Sequence, residues 1–276
     1  MGGVDGGHHP EPGSGRFVAS VLIVLVLVAL ALAHRGYDPA NPRPALTAPV
    51  SLGDTPDFRA IPDPDTRKQR FFDYLTPAAA GVNAEVSERR ERLDSIAQAH
   101  RRGELSRADR NWLSEMARRY RVDAADTGER IAALEPRVDV VPGALVIAQA
   151  AIESGWGTSH FAREGNNLFG EWCFEEGCGI VPRSRSAGAS HEVRRFPSVL
   201  HSIRSYVRNL NSHPAYAELR TRRARARANG SSPGALELAG GLEQYSERGT
   251  AYVEEVRLVI RANDLDQVYA AATRDD

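Results

Sequence analysis

One carboxyl stands apart from the others in this chain. In VPGALVIAQAAIESG, residues 141–155, Glu153 lies near the end of a run whose side chains are almost all apolar, and Gln149 is the polar position four residues before it. In a helix that spacing puts both on one face. An ionisable group on such a helix lines a cleft wall, not a solvated stripe, and desolvation raises its pKa. A carboxylic acid that stays protonated near neutrality can donate its proton to a leaving oxygen, which is what cleavage of a glycosidic bond needs. An ordinary helix-end Glu, or a buried Glu paired with an Arg, fits the same pattern.

Three further groups have chemical potential. Cys173 and Cys178 bracket Phe-Glu-Glu-Gly, a turn-like connection that brings two sulfurs within bonding reach, and outside the cytosol such a pair forms a disulfide. Two cysteines are too few for a four-thiolate zinc site, and His160 and His191 complete no familiar zinc pattern, so neither a metal nor a cofactor is expected. Four acids, Glu171, Glu175, Glu176 and Glu192, fall in or beside this stretch, where solvated strand or turn positions are the default. Arg220 to Arg227 (RTRRARAR) is the strongest charge run; lacking interleaved aromatics, it reads as a solvated helix face sooner than a nucleic-acid patch, and between the two stands a groove rim whose Arg side chains attract a carboxylate-bearing ligand.

The elements that must position these groups follow from period and punctuation. Pro142 suits a first helical turn and Gly155 a helix exit, so the acid rides on a helix between them. From Thr66 apolar residues recur at helical spacing, with Pro77 and Gly81 as points where the helix splits; Ser106 with Asp109 three residues on is a capping-box pattern for a second helix. Strand character follows around Leu168 to Phe174 and Glu192 to Phe196, and the helical period returns from Ser198 onward. The fold class is therefore α+β, mainly α, with one small β insertion.

Upstream, residues 1–16 form a tail, and Phe17 to Ala33 is an uncharged apolar run of 17 residues. Its length fits a short membrane anchor, and Ala31-Leu32-Ala33 fits a signal cleavage site. Residues 34–66, crowded with Pro, Asp and Gly, read as a linker. Residues 67–140 then supply the N-terminal helical part of the catalytic unit and 141–270 its core with the β lobe. With either reading of 17–33 the remainder works outside the cytosol, in the periplasm or on an extracytoplasmic face, anchored or secreted. The 35 basic and 36 acidic side chains leave a net charge of −1, which offers no long-range field for nucleic acid. A mean hydropathy of −0.40 excludes a polytopic membrane protein.

Residues 148–172, AQAAIESGWGTSHFAREGNNLFGEW, resemble the signature of the β-N-acetylglucosaminidases of glycoside hydrolase family 73, peptidoglycan hydrolases that include the FlgJ domain. RFFDYL, the stretch from Cys178 to Tyr216, and EQYSERGTAYVEEVRLVI are similar to the Bax-like branch of that family. The resemblance implies a lysozyme-like fold, an α lobe and a small β-hairpin lobe facing each other across a groove. Its partner there is the glycan strand of peptidoglycan, and Glu153 is the general acid at an N-acetylglucosaminyl β-1,4 bond.

It also implies roles for neighbours, each with a structural alternative. Trp156 stacks on a sugar face or packs as core. Asn166 and Asn167 bind the N-acetyl group or shape a left-handed turn. Tyr245 and Tyr252 are similar to paired tyrosines of the family, with Tyr252 orienting substrate or water, or simply anchoring the last helix. The family's β-lobe Glu has no counterpart at Val181-Pro182-Arg183-Ser184, so Glu175 and Glu176 are taken as the base candidates. A base at roughly 6.5–9.5 Å from the acid inverts and a nucleophile at roughly 5 Å retains; attack by the substrate's own acetamido oxygen needs neither. The alternatives in function are a lytic transglycosylase and a non-catalytic, membrane-tethered wall-binding module.

Overall fold

Asp63 accepts the Thr66 N–H at 2.7 Å and, with Pro64 in the first turn, starts a helix of 38 residues, α1 (Pro64–Arg101). This computed structural model describes residue 52, residues 54–183, residue 185 and residues 188–273. The tail 1–16, the apolar run 17–33 and most of the linker therefore lie outside the described residues. Among the described residues no helix is long and apolar enough to cross a membrane. The end of the linker does more than connect. Phe58, in a short 3₁₀ turn, is buried and packs edge-on against Phe71 with ring centroids 5.4 Å apart.

Neither Pro77 nor Gly81 splits α1, contrary to the expectation from sequence. A proline inside a helix costs about 3 kcal/mol. Against this, Phe71, Phe72, Leu75, Val82 and Val86 are all buried on the same helix, and each fully buried side chain of this size contributes about 1.5–3 kcal/mol. Tertiary burial on both sides of the proline outweighs the local break.

Next come α2 (Arg107–Arg119), opened by the expected capping box of Ser106 and Asp109, and α3 (Thr127–Leu134). With the C-terminal half of α1 they enclose a satellite core around Leu93, Leu113, Met116, Tyr120 and Leu134. The main core surrounds α4 (Gly143–Ser154), in which ten residues are buried, so that the helix is enclosed on nearly every side. A short helix, α5 (His160–Gly165), leads to three strands, β1 (Trp172–Cys173), β2 (Gly179–Ile180) and β3 (Glu192–Arg194). Their order is β1-β3-β2, all antiparallel, with Trp172 opposite Val193 and Ile180 opposite Val193 on the other side. The lobe expected as a hairpin is thus a three-stranded sheet whose central strand is the last in sequence.

Helices α6 (Val199–Ser212), α7 (Ala217–Ala228), α8 (Ala235–Ala239), α9 (Thr250–Ala262) and α10 (Leu265–Ala272) complete the unit. α4 is packed upon by α1, α8, α9 and α10. The Arg run on α7 is a solvated face only in part: Arg225 and Arg227 are exposed, whereas Arg223 is fully buried and Arg220 is 5% exposed. Arg223 donates to the carbonyls of Pro136, Asp139 and Val140, and Arg220 to those of Leu210 and His213. Arg223 thus ties off loop carbonyls ahead of α4, and Arg220 holds carbonyls at the end of α6.

Candidate active site

α4 ends because Gly155 adopts a left-handed backbone, φ 57°, a conformation glycine reaches without a Cβ penalty. Just before that exit Glu153 is half-buried. Its Oε1 accepts a hydrogen bond from the Tyr252 hydroxyl at 2.7 Å. Tyr252 in turn accepts from Gln149 Nε2 at 2.9 Å, and the Tyr206 hydroxyl donates to Gln149 Oε1. Gln149 is fully buried and Tyr206 and Tyr252 nearly so. The result is a directed chain from Tyr206 through Gln149 and Tyr252 to Glu153, and because Oε1 is already an acceptor, a proton carried by Glu153 resides on Oε2.

Burial raises the Glu153 pKa above the ordinary carboxylate value. The Tyr252 hydrogen bond opposes this, the charge of Glu255 reinforces it and Arg248 opposes it. Arg248 and Glu255 pair with each other at 2.5 Å, which leaves little net field from the two at the carboxyl. Desolvation dominates, as the apolar helix implies. Tyr252→Phe removes the bond that favours the charged form, so the Glu153 pKa should rise and the alkaline limb of the kcat profile should move to higher pH. One lost hydrogen bond of about 1 kcal/mol predicts a five- to tenfold fall in kcat, roughly. An unmoved alkaline limb would show that Tyr252 does not set the ionisation of Glu153.

Tyr245 and Tyr252 meet although no single helix carries both. α9 begins at Thr250, after Gly249 with φ 53°, and Tyr245 lies in the preceding turns. Tyr245 and Tyr252 nevertheless stack with centroids 5.3 Å apart and planes within 9°. The Tyr245 hydroxyl also reaches the Phe169 carbonyl in a long contact of 3.5 Å, and Phe169 stacks on Tyr206 at 3.9 Å. These rings join the end of α4 to the Asn-Asn-Leu-Phe-Gly segment. Tyr206 carried no sequence signal, because its partner Gln149 lies 57 residues away.

The remaining positions divide between packing and exposure. Trp156 is edge-on to Phe71 and Phe72, with centroids 5.8 and 5.7 Å away, in the arrangement of its packing alternative. Asn166 has φ 51° and donates to the Phe196 carbonyl. Asn167 is buried, donates to the carbonyls of Glu171 and Arg194, and accepts the N–H groups of Phe169 and Glu171. Both amide side chains are thus engaged by backbone where α5 turns into the sheet. Cys173 and Cys178 form a disulfide. The turn it closes carries Glu175 and Glu176 out into solvent.

Of the other acids, Glu192 accepts the N–H groups of Gly177 and Gly179, which lower its pKa and tie the disulfide turn to β3. Cys173, Cys178 and Glu192 lie close enough to suggest a metal triad, but the sulfurs are bonded to each other and hold no thiolate. Glu171, passed over in favour of Glu175 and Glu176, differs from them in its surroundings. Its Oε2 accepts from Ser205 at 2.7 Å, its Oε1 is buried without a hydrogen-bond partner, and burial raises its pKa despite Ser205, Arg194 and Arg208. Tyr216 is pushed up to about 12, first by burial and then by the charges of both Glu171 and Glu153. The two carboxyls therefore act on one phenol. A depression of about 490 Å³ is lined by Pro136, Arg137, Arg220 and Arg225, and neither Glu153 nor Glu171 is in its lining.

Comparison with known proteins bears on the same region. Residues 128–265 match the Glucosaminidase family, described as mannosyl-glycoprotein endo-beta-N-acetylglucosaminidase. The chain is 36% identical over 199 residues to Protein bax of Escherichia coli (strain K12), covering 71% of this chain and 70% of that protein. It also has a likeness to the crystal structure of the catalytic domain of the autolysin Auto from Listeria monocytogenes, at 16% identity and a TM-score of 0.41, over 79% of this chain and 91% of that one. The last likeness is too slight to carry an argument.

Proposed function

Since this chain belongs to the glucosaminidase family, glycoside hydrolase family 73, and is a glycoside hydrolase of its Bax-like branch, we propose that it cleaves N-acetylglucosaminyl β-1,4 bonds in peptidoglycan glycan strands with Glu153 as the general acid. The observation that carries this reading is the half-buried Glu153 carboxyl at the end of an apolar helix, its pKa raised by burial and its Oε1 held by Tyr252. The Glu153 proton passes from Oε2 to the glycosidic oxygen as the bond to the anomeric carbon breaks. The anomeric carbon then takes up the oxygen of water. The lysozyme-like, two-lobed arrangement of the family belongs to the same proposal.

Glu171 is the second carboxyl we favour, as the base that takes the proton of the attacking water. A base works best with a pKa lifted toward the working pH; burial lifts that of Glu171, and Ser205 positions its Oε2. Glu171→Gln should lower kcat about 10²-fold or more, the contribution of a general base, while Glu175→Gln with Glu176→Gln should stay within a few-fold of the parent. The reverse result would give the role to the disulfide turn.

Mass spectrometry of fragments released from purified sacculi tests the reaction itself. Reducing-end N-acetylglucosamine is the expected product; 1,6-anhydromuramic ends would make the chain a lytic transglycosylase, and tight binding without product a wall-binding module. We place the activity outside the cytosol, in the periplasm or on an extracytoplasmic face. That placement draws on the apolar run 17–33 and on the disulfide.

A further inference from the structure

Among the described residues four large apolar side chains are strongly exposed, and three of them, Trp172, Phe174 and Val181, belong to the small β lobe. Trp172 is 55% and Phe174 70% exposed, on either side of the buried Cys173. The Trp172 indole lies flat against the His191 imidazole, with centroids 4.0 Å apart and planes within 16°. One face of the indole is thus backed by a second ring, and its exposure leaves the other to an incoming group.

This patch sits on a heavily tied part of the lobe. Cys173 is bonded to Cys178, Trp172 and Cys173 pair with Val193 and Glu192 across the sheet, and the Glu192 carboxylate holds two amides of the turn. A ring already fixed in place loses little conformational entropy when it binds. The chemistry beside it is also specific: Glu175 and Glu176, both exposed, follow Phe174 directly. Flat aromatic faces stack on the C–H faces of pyranose rings, and adjacent carboxylates accept hydrogen bonds from sugar hydroxyls. The same two carboxylates disfavour an anionic membrane surface.

We propose that Trp172, backed by His191, forms with Phe174 a second saccharide-binding surface that stacks on pyranose rings of a glycan strand outside the residues that carry the reaction. The strand direction supports it. Glu171, whose charge acts on the same phenol as that of Glu153, immediately precedes Trp172, so β1 leads from one set of groups to the other. The inference rests on a glycan being the substrate, as proposed above.

The test uses the full chain carrying Glu153→Gln, so that binding is read without turnover. Titration with β-1,4-linked N-acetylglucosamine tetrasaccharide should shift Trp fluorescence, and adding Trp172→Ala should abolish most of that shift and weaken retention on sacculi about tenfold. Phe174→Ala should weaken retention about threefold, and Trp172→Phe should restore most of it. Thermal melting should be unchanged, since Trp172 is exposed. Equal retention of Trp172→Ala and its parent overturns the surface, as does a Trp172-dependent binding to anionic phosphatidylglycerol vesicles with unchanged sacculus binding. The two proposals fail separately. A wild-type chain that digests sacculi while Trp172→Ala binds as its parent removes only the surface; a wild-type chain that releases no fragments removes the hydrolase reading.

Discussion

Glu153→Gln is expected to lower the release of soluble fragments from sacculi by about 10³-fold or more, the upper part of the range for a general acid whose proton is essential. The substitution keeps the size of the side chain and leaves an acceptor oxygen for Tyr252, so the hydrogen-bond chain from Tyr206 survives it. What it removes is the transferable proton on Oε2. Stability gives an independent check that the variant is folded. Because burial raises the native pKa of Glu153, the native state is favoured by the neutral form, and that stabilisation is lost as pH rises from the ordinary carboxylate value through the raised one. A neutral glutamine does not pay this desolvation cost. Glu153→Gln should therefore melt no lower than the parent at neutral pH, and higher relative to it at pH 8 than at pH 4. A variant that cuts sacculi at the parental rate would end the assignment of Glu153.

The largest effect on stability is expected at Asp139, well outside the reactive groups. Asp139 is 3% exposed and pairs with Arg227 through both oxygens, with Arg223 at 3.6 Å and Arg90 at 4.0 Å. Arg223 is fully buried, and burial lowers its pKa to about 10 even with Asp139 opposing the shift, so it remains charged at neutrality. Asp139→Ala leaves that charge without its counter-ion, which predicts a loss of about 3–5 kcal/mol. For a unit of this size, with about 2–4 °C per kcal/mol, the melting temperature should fall by about 10 °C.

Activity should fall with it. The Asp139 carbonyl is held by Asn211 and Arg223, and the Val141 backbone by both ends of the Asn83 amide, directly before α4 begins. Loosening 139–141 frees the start of the helix that carries Glu153. Combining Asp139→Ala with Arg223→Met should cost less than the sum of the two single changes, because the second removes the charge stranded by the first. Thermal or urea denaturation reads both. A loss under about 1 kcal/mol for Asp139→Ala would mean that Arg223 is satisfied by its three carbonyls alone.

Local signals carried much of this architecture. The helix that bears Glu153, its exit at Gly155, the capping box at Ser106 and the disulfide turn depend on residues within a few positions of one another, and each is found as read. Helix interruption at Pro77 and solvation of Arg220 and Arg223 failed for one reason: local preference was overridden by burial against distant elements. The same applies to Glu171. Nothing beside it in sequence distinguishes it from Glu175 and Glu176; only Ser205, 34 residues away, and the burial of its oxygens do so.

By itself, then, the chain determined where its one greasy carboxyl-bearing helix starts and stops, which cysteines bridge, and the family to which it belongs. Only the folded chain decided that Tyr206, Gln149 and Tyr252 form a line of hydrogen bonds ending on Glu153, that Trp156 meets α1, and that a second carboxyl is buried at the start of the β lobe. Helix periods, caps and turns are settled by neighbouring backbone and side-chain torsions. The ionisation of a carboxyl is settled by how much water and which dipoles surround it, and those come from segments that meet only when the core closes.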